Sequence, residues 1–207
     1  VGQLHDRAYK FRNAVEDLRE ERIGREWIDV EPEHDPFAPA DLPFEPVDLR
    51  ETTIPELVAA CDIDHSIGPV PGTRGGCDAG YQRWEAFRDE RLDAYHGTRN
   101  NPAYPDGASR MSPYLHWGHV SPFRIAREAA QSDSKGAKKY IDEMVTWREL
   151  AHHFCFYAPD YATVDALPDW ARESLREHES DERPALLDWE TLARAETGDE
   201  LWDLCQT

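Results

Sequence analysis

Residues 108–122 read Ala108-Ser109-Arg110-Met111-Ser112-Pro113-Tyr114-Leu115-His116-Trp117-Gly118-His119-Val120-Ser121-Pro122. The run holds two serine-proline pairs, at 112–113 and 121–122. Serine favours the position just before a helix, and proline is tolerated at the first helical position. Each pair therefore predicts a helix start, with Ser112 and Ser121 as the capping residues. A helix start carries unpaired N–H groups and the positive end of a dipole, so a phosphate or carboxylate suits it. Ser109, Arg110 and Ser112 add two hydroxyls and a guanidinium beside the first start. The run reads as an anion cradle in a helical protein, or as two ordinary caps.

Working outward, the rest of the chain repeats the helical pattern. Leu4, Ala8, Phe11, Val15 and Leu18 recur every three or four residues and predict an amphipathic helix over 4–22. Six prolines between Glu31 and Pro55 predict an extended linker, with a short helix at 55–60. Residues 68–76 form a glycine- and proline-rich loop without the lysine or preceding strand of a phosphate-binding P-loop. Helical spacing resumes over 78–95, and a loop follows over 98–107. Further helices are expected at 113–117, 122–131, 136–157, 169–178 and 188–195, with Asp188 as a cap, and a last one from about Asp199. No stretch alternates as a strand does, so the fold class is mainly α.

The chain has 207 residues, 42 of them acidic and 23 basic, for a net charge of −19. That balance argues against a simple nucleic-acid binder. The distribution is uneven, however. Residues 81–127 carry 7 basic and 5 acidic groups, net +2, while 1–80 and 160–207 each carry net −10. The locally basic stretch contains the serine-proline run, and an acidic shell around it suits solvation in high salt, a halophilic trait. Four cysteines, Cys61, Cys77, Cys155 and Cys205, lie too far apart for a Cys-x-x-C site and read as buried free thiols. His152 and His153 are adjacent and diverge on a helix, so no metal site is expected. No apolar run approaches a membrane span and no signal peptide opens the chain, which predicts a cytoplasmic protein with no membrane partner. Val1 is no initiator, Arg7 to Arg19 already read as a helix and Trp202–Thr207 stops mid-pattern, as expected of a piece of a longer protein.

A second signal lies in Asp142-Glu143-Met144-Val145-Thr146-Trp147-Arg148-Glu149-Leu150. On an α-helix Glu143 and Trp147 share a face, which Leu150 and Phe154 extend. A carboxylate beside an indole suits a planar heteroaromatic ligand, one by hydrogen bonds and the other by stacking. Core packing with an i,i+4 contact is the plainer alternative.

Taken together these stretches resemble the photolyase/cryptochrome family. Residues 108–122 are similar to the family's flavin-diphosphate segment, with Ala108 where a hydroxyl residue is usual and Met111 where leucine is usual. The Glu-x-x-x-Trp-Arg-Glu-Leu block resembles the substrate-facing helix of cyclobutane-pyrimidine-dimer photolyases. Phe154-Cys155-Phe156-Tyr157, Pro168-Asp169-Trp170-Ala171, Cys61-Asp62-Ile63-Asp64-His65-Ser66 and Asp199-Glu200-Leu201-Trp202 are similar to the class II branch. The blocks follow the family's order from about residue 5 onward.

The resemblance implies part of a helical FAD-binding domain, preceded by a helix and a proline-rich linker. Residues 1–30 would be a helical segment from the end of an N-terminal domain or an interdomain connection, 31–76 the linker, and 77–207 the first part of the FAD-binding and catalytic domain. Tyr95, Ser109, Arg110, Met111, Ser112 and Arg148 would bind the flavin. Arg99 would contact DNA phosphate, Glu143 would hydrogen-bond the dimer, and Trp147 would pack against it. Trp202 resembles a member of the tryptophan chain that relays an electron to the flavin. The implied activity is light-driven splitting of a cyclobutane pyrimidine dimer in damaged DNA by a lyase whose active cofactor is reduced FAD. An antenna chromophore, a preceding α/β domain and a monomeric full-length protein are further family expectations, as are flavin-ring groups after Thr207. A cryptochrome-like photoreceptor and an inactive partial flavin domain are the alternatives.

Overall fold

The computed structural model describes residues 2–5, 7–25, 33 and 41–206. Its described residues form eleven α-helices and no strand, as the periodicity predicts. They divide into two compact units, Val1–His152 and His153–Thr207.

In the first unit, α1 (Ala8–Gly24) starts four residues later than the expected helix and buries Phe11 of the predicted stripe, while Leu4 and Leu18 are exposed. Much of the expected proline linker, including Pro32, Pro36 and Pro39, lies outside the described residues. α2 (Ile54–Ala59) begins with a reciprocal cap: the Thr53 hydroxyl accepts from the Glu56 N–H, and the Glu56 carboxylate accepts from the Thr53 N–H. α3 (Cys77–Glu90) buries Gly80, Trp84 and Phe87, a single stripe at four- and three-residue spacing. A 3₁₀ turn at Leu92–Ala94 leads into the one-turn helix α4 (Tyr95–Thr98).

α5 (Ser112–His116) and α6 (Pro122–Ala129) follow from the two serine-proline pairs. The pairs behave differently. Ser121 is a true cap: its backbone is extended and its hydroxyl accepts from the Arg124 N–H at 3.4 Å. Ser112 is not. Met111 occupies the cap position, already in helical conformation, and no side chain caps α5. The reason is local: Arg110 has a left-handed backbone, φ 55°, which turns the chain into the helix one residue early.

α7 (Lys135–Ile141) is capped by Ser134, whose hydroxyl accepts from the Ala137 N–H at 3.1 Å. The expected long helix over 136–157 continues, but through a π turn at Asp142–Trp147 before α8 (Arg148–Tyr157). The core packs Trp84, Phe87, Leu92, Tyr95, Met111, Tyr114, Val120, Ile125 and Tyr140 together. At its centre Trp84 stacks on Tyr140 at 5.4 Å, and Tyr95 meets Tyr140 edge-on at 5.2 Å. α7 packs on α4 and the 3₁₀ turn, α6 on α1 and α7, and α1 on the π turn.

The second unit takes in the end of α8, then α9 (Asp169–Glu177), α10 (Trp189–Ala193) and α11 (Glu200–Gln206). Asp188 caps α10 as predicted, its carboxylate accepting from the Thr191 N–H at 2.8 Å. Asp199 accepts from the N–H groups of Leu201 and Trp202 at the start of α11. The cysteines depart from expectation: all four are free and exposed. The core fills its centre with aromatic rings instead, and no thiol is drawn in.

Candidate functional site

The predicted site residues of the first unit come from three separated stretches, and four of them converge. Tyr95 starts α4 and is buried against the core. Arg99, the C-cap of α4, sends its Nη2 to within 3.6 Å of Glu143 Oε1 on the π turn. Ser109 joins through Tyr140, whose hydroxyl donates to Ser109 Oγ at 3.3 Å. The Ser109 carbonyl also accepts from Arg83 Nε at 3.0 Å, so the loop is tied to α3.

The charges alternate along this face. Arg12 of α1 donates to both oxygens of Asp142, at 2.8 and 3.1 Å. Lys139 Nζ lies 3.3 Å from Asp142 and 2.5 Å from Glu143. Arg99 closes the row. Burial pushes the Asp142 carboxyl up, but its bonds from Arg12 and Lys139 outweigh that and hold it below the ordinary value. The Glu143 carboxylate raises the Lys139 ammonium, against desolvation and with help from Asp142. Burial raises the Tyr95 phenol, and nearby Glu143 adds to this, opposed by Arg99 and Lys139. Burial takes the Tyr140 phenol up to about 12, against the Ser109 bond.

The other predicted residues fall as follows. Met111 is 1% exposed, so its side chain is core; its N–H donates to Ser109 Oγ at 3.4 Å and its carbonyl accepts from the Leu115 N–H at 3.0 Å. Ser112 is exposed at the start of the five-residue α5. Arg110 turns back and donates to the Pro105 carbonyl at 2.9 and 3.2 Å. Trp147 is 46% exposed on the π turn. Glu143 and Trp147, four residues apart, both lie within the π turn. Arg148 lines an apolar groove of about 350 Å³ with Phe11, Val15, Ile23, Phe123 and Met144. Trp202 belongs to the second unit, half-exposed on α11.

Sequence reasoning missed Lys139, Asp142, Arg12 and Tyr140. Lys139 was findable, because it precedes Glu143 by four residues on a predicted helix. Arg12 was not, since its partner lies 130 residues away. Among the described residues no cluster of His, Cys, Asp and Glu could hold a metal ion, and no helix is long and apolar enough to cross a membrane.

No family model matches the chain. Individual proteins do. The chain is 36% identical over 139 residues to the deoxyribodipyrimidine photo-lyase of Oryza sativa subsp. japonica, and 37% over 140 residues to that of Arabidopsis thaliana. Each match covers 66% of the chain and 28% of the relative. The Potorous tridactylus deoxyribodipyrimidine photo-lyase is 35% identical over 151 residues, 72% of the chain and again 28% of the relative. The chain thus spans under a third of the length of these curated relatives. On these likenesses the chain belongs to the deoxyribodipyrimidine photo-lyase family.

Proposed function

We propose that this chain supplies part of the flavin- and lesion-binding domain of a class II-like cyclobutane-pyrimidine-dimer photolyase. Residues 77–207 are the first part of that domain, 31–76 the linker that leads to it, and 1–30 a segment before the linker that contains α1. The observation that carries the reading is the meeting of Arg99 and Glu143, 3.6 Å apart beside buried Tyr95. A cation for phosphate and a carboxylate for a base edge stand side by side, as a flipped-out lesion needs.

The donors suit a flavin diphosphate. Ser112 offers an exposed hydroxyl and the first free N–H groups of α5, and Ser109 a part-buried hydroxyl in the same loop. Ser109, Arg110, Met111 and Ser112 would hold the diphosphate, with Tyr95 beside it and Arg148 near the ring. FAD, when bound and reduced, supplies the light-absorbing electron donor that splits the cyclobutane ring. Arg99 positions the backbone next to the lesion. Glu143 hydrogen-bonds the pyrimidine and stabilises charge that develops on its carbonyls. Trp147 packs on the dimer and excludes water. Trp202 serves the electron relay.

The test is light-dependent repair of a thymine-dimer oligonucleotide by the complete flavin-loaded protein, comparing wild type with Glu143→Ala. Repair that needs light and falls at least ~100-fold in the variant supports the reading. Flavin photochemistry without any loss of dimers would favour the photoreceptor instead, and equal repair by both proteins would remove Glu143 from the chemistry.

A further inference from the structure

Glu143 faces two cations, and they are tethered differently. Arg99 reaches it from another element, at the C-cap of a one-turn helix, and also donates to the His96 carbonyl at 3.4 Å. It can leave without disturbing the helix that carries Glu143. Lys139 sits one turn before Glu143 on the same continuous helix, with Nζ at 2.5 Å. It is held from behind by Asp142, which Arg12 in turn anchors to α1. Both Lys139 and Glu143 side chains are 31% exposed, so the pair is sheltered without being sealed.

A phosphate beside the lesion carries a full negative charge and competes with Glu143 for Arg99. When Arg99 moves to the phosphate, Glu143 loses one partner and faces that phosphate as a like charge. Something must then keep the carboxylate from swinging away from the base.

We infer that Lys139 is a positioning residue of the lesion pocket, which holds the Glu143 carboxylate in place after Arg99 is drawn to DNA phosphate. This rests on the photolyase reading above. Arg99 then reads the backbone of any DNA, while the Lys139–Glu143 pair reads the lesion. The two contributions separate: loss of Arg99 weakens all DNA binding, and loss of Lys139 weakens preference for damage.

The experiment measures binding of the complete flavin-loaded protein to a labelled duplex with one thymine dimer and to its undamaged twin. Lys139→Met, Lys139→Arg and Arg99→Met are compared with wild type, and flavin absorbance confirms the folded holoprotein. Lys139→Met is expected to cut the damaged-to-undamaged affinity ratio ~10-fold, with undamaged binding changed less than ~3-fold. Lys139→Arg is expected to restore most of the ratio, because it keeps the charge and reach. Arg99→Met is expected to weaken both duplexes alike. An unchanged ratio in Lys139→Met overturns the inference, as does a loss that Lys139→Arg fails to restore. Wild-type protein that binds both duplexes equally would instead overturn the photolyase reading itself.

Discussion

The indole Nε1 of Trp84 donates to Glu128 Oε2 at 2.7 Å, joining the buried stripe of α3 to α6. The same carboxylate accepts from Arg88 Nη1 at 2.8 Å and from Arg124 Nε at 2.7 Å. Trp84 is fully buried, so without Glu128 its N–H has no water to turn to. Glu128→Ala is expected to lower unfolding stability by ~2–4 kcal/mol, and Glu128→Gln by less, since the amide oxygen still accepts from the indole. Chemical denaturation of the three proteins checks the order.

Acid should weaken the fold through the same carboxylate. Burial pushes the Glu128 carboxyl up, but its bonds from Arg124 and Trp84 and the nearby guanidinium charges prevail, so it lies below its ordinary 4.5. Asp142 likewise lies below its ordinary 3.8. A carboxyl depressed in the folded state stabilises fully above its unfolded pKa, and that contribution is lost as pH falls through the folded value. The melting temperature should therefore hold down to about pH 4.5 and then fall, less steeply in Glu128→Gln. Melts from pH 7 to pH 3 test this.

Alkali acts on Tyr140. Its phenol is pushed up to about 12 by burial, whereas the unfolded chain ionises near 10. Stability from this group is complete below pH 10 and is lost as pH rises toward 12. Ultraviolet titration should show tyrosine ionisation that comes only with unfolding, and Tyr140→Phe should reduce its amplitude.

Two helical glycines should respond oppositely to alanine. At Gly136 a Cβ would lie 1.9 Å from the Leu92 carbonyl oxygen, which belongs to a backbone that cannot yield. Gly136→Ala is expected to cost more than ~3 kcal/mol or to prevent folding. At Gly97 a Cβ meets nothing within 4 Å. Gly97→Ala in α4 should stabilise by ~0.5–1 kcal/mol. Thermal melts of both variants decide the matter.

If Arg99 meets a DNA phosphate, its loss should show in the salt dependence of binding. Arg99→Ala should reduce the slope of log affinity against log salt by about 1, for damaged and undamaged DNA alike. An unchanged slope would take Arg99 off the phosphate backbone.

Periodicity and caps made most of the helices legible. Ser121, Ser134 and Asp188 show how directly a cap acts, because each needs only its own extended backbone and an N–H three residues on. Ser112 shows the limit. Its dipeptide is identical to that at 121–122, but the left-handed Arg110 upstream shifts the helix entry to Met111. The cysteines misled because small apolar side chains are interchangeable in a core, and nothing local says which of them is enclosed. Within the site, Tyr95, Arg99 and Glu143 were legible through resemblance, whereas Lys139 was missed although its spacing from Glu143 marks it. Arg12 and Tyr140 enter only by tertiary packing, which a linear pattern does not encode.

The π turn at Asp142–Trp147 has a consequence for how the long helix tolerates change. Each residue of an α-helix advances the side chains by about 100° around the axis. A single residue taken up in a wider turn leaves the axis running on but resets the phase of everything beyond it. The stretch before the turn keeps its fit to α4, while Arg148 and Glu149 after it are aimed at the groove beside α1. Removing one residue from 142–147 would swing that second surface by roughly a quarter of a circle without breaking the helix. Length at this point acts as a dial between two packing surfaces, each free to change while the other stays set.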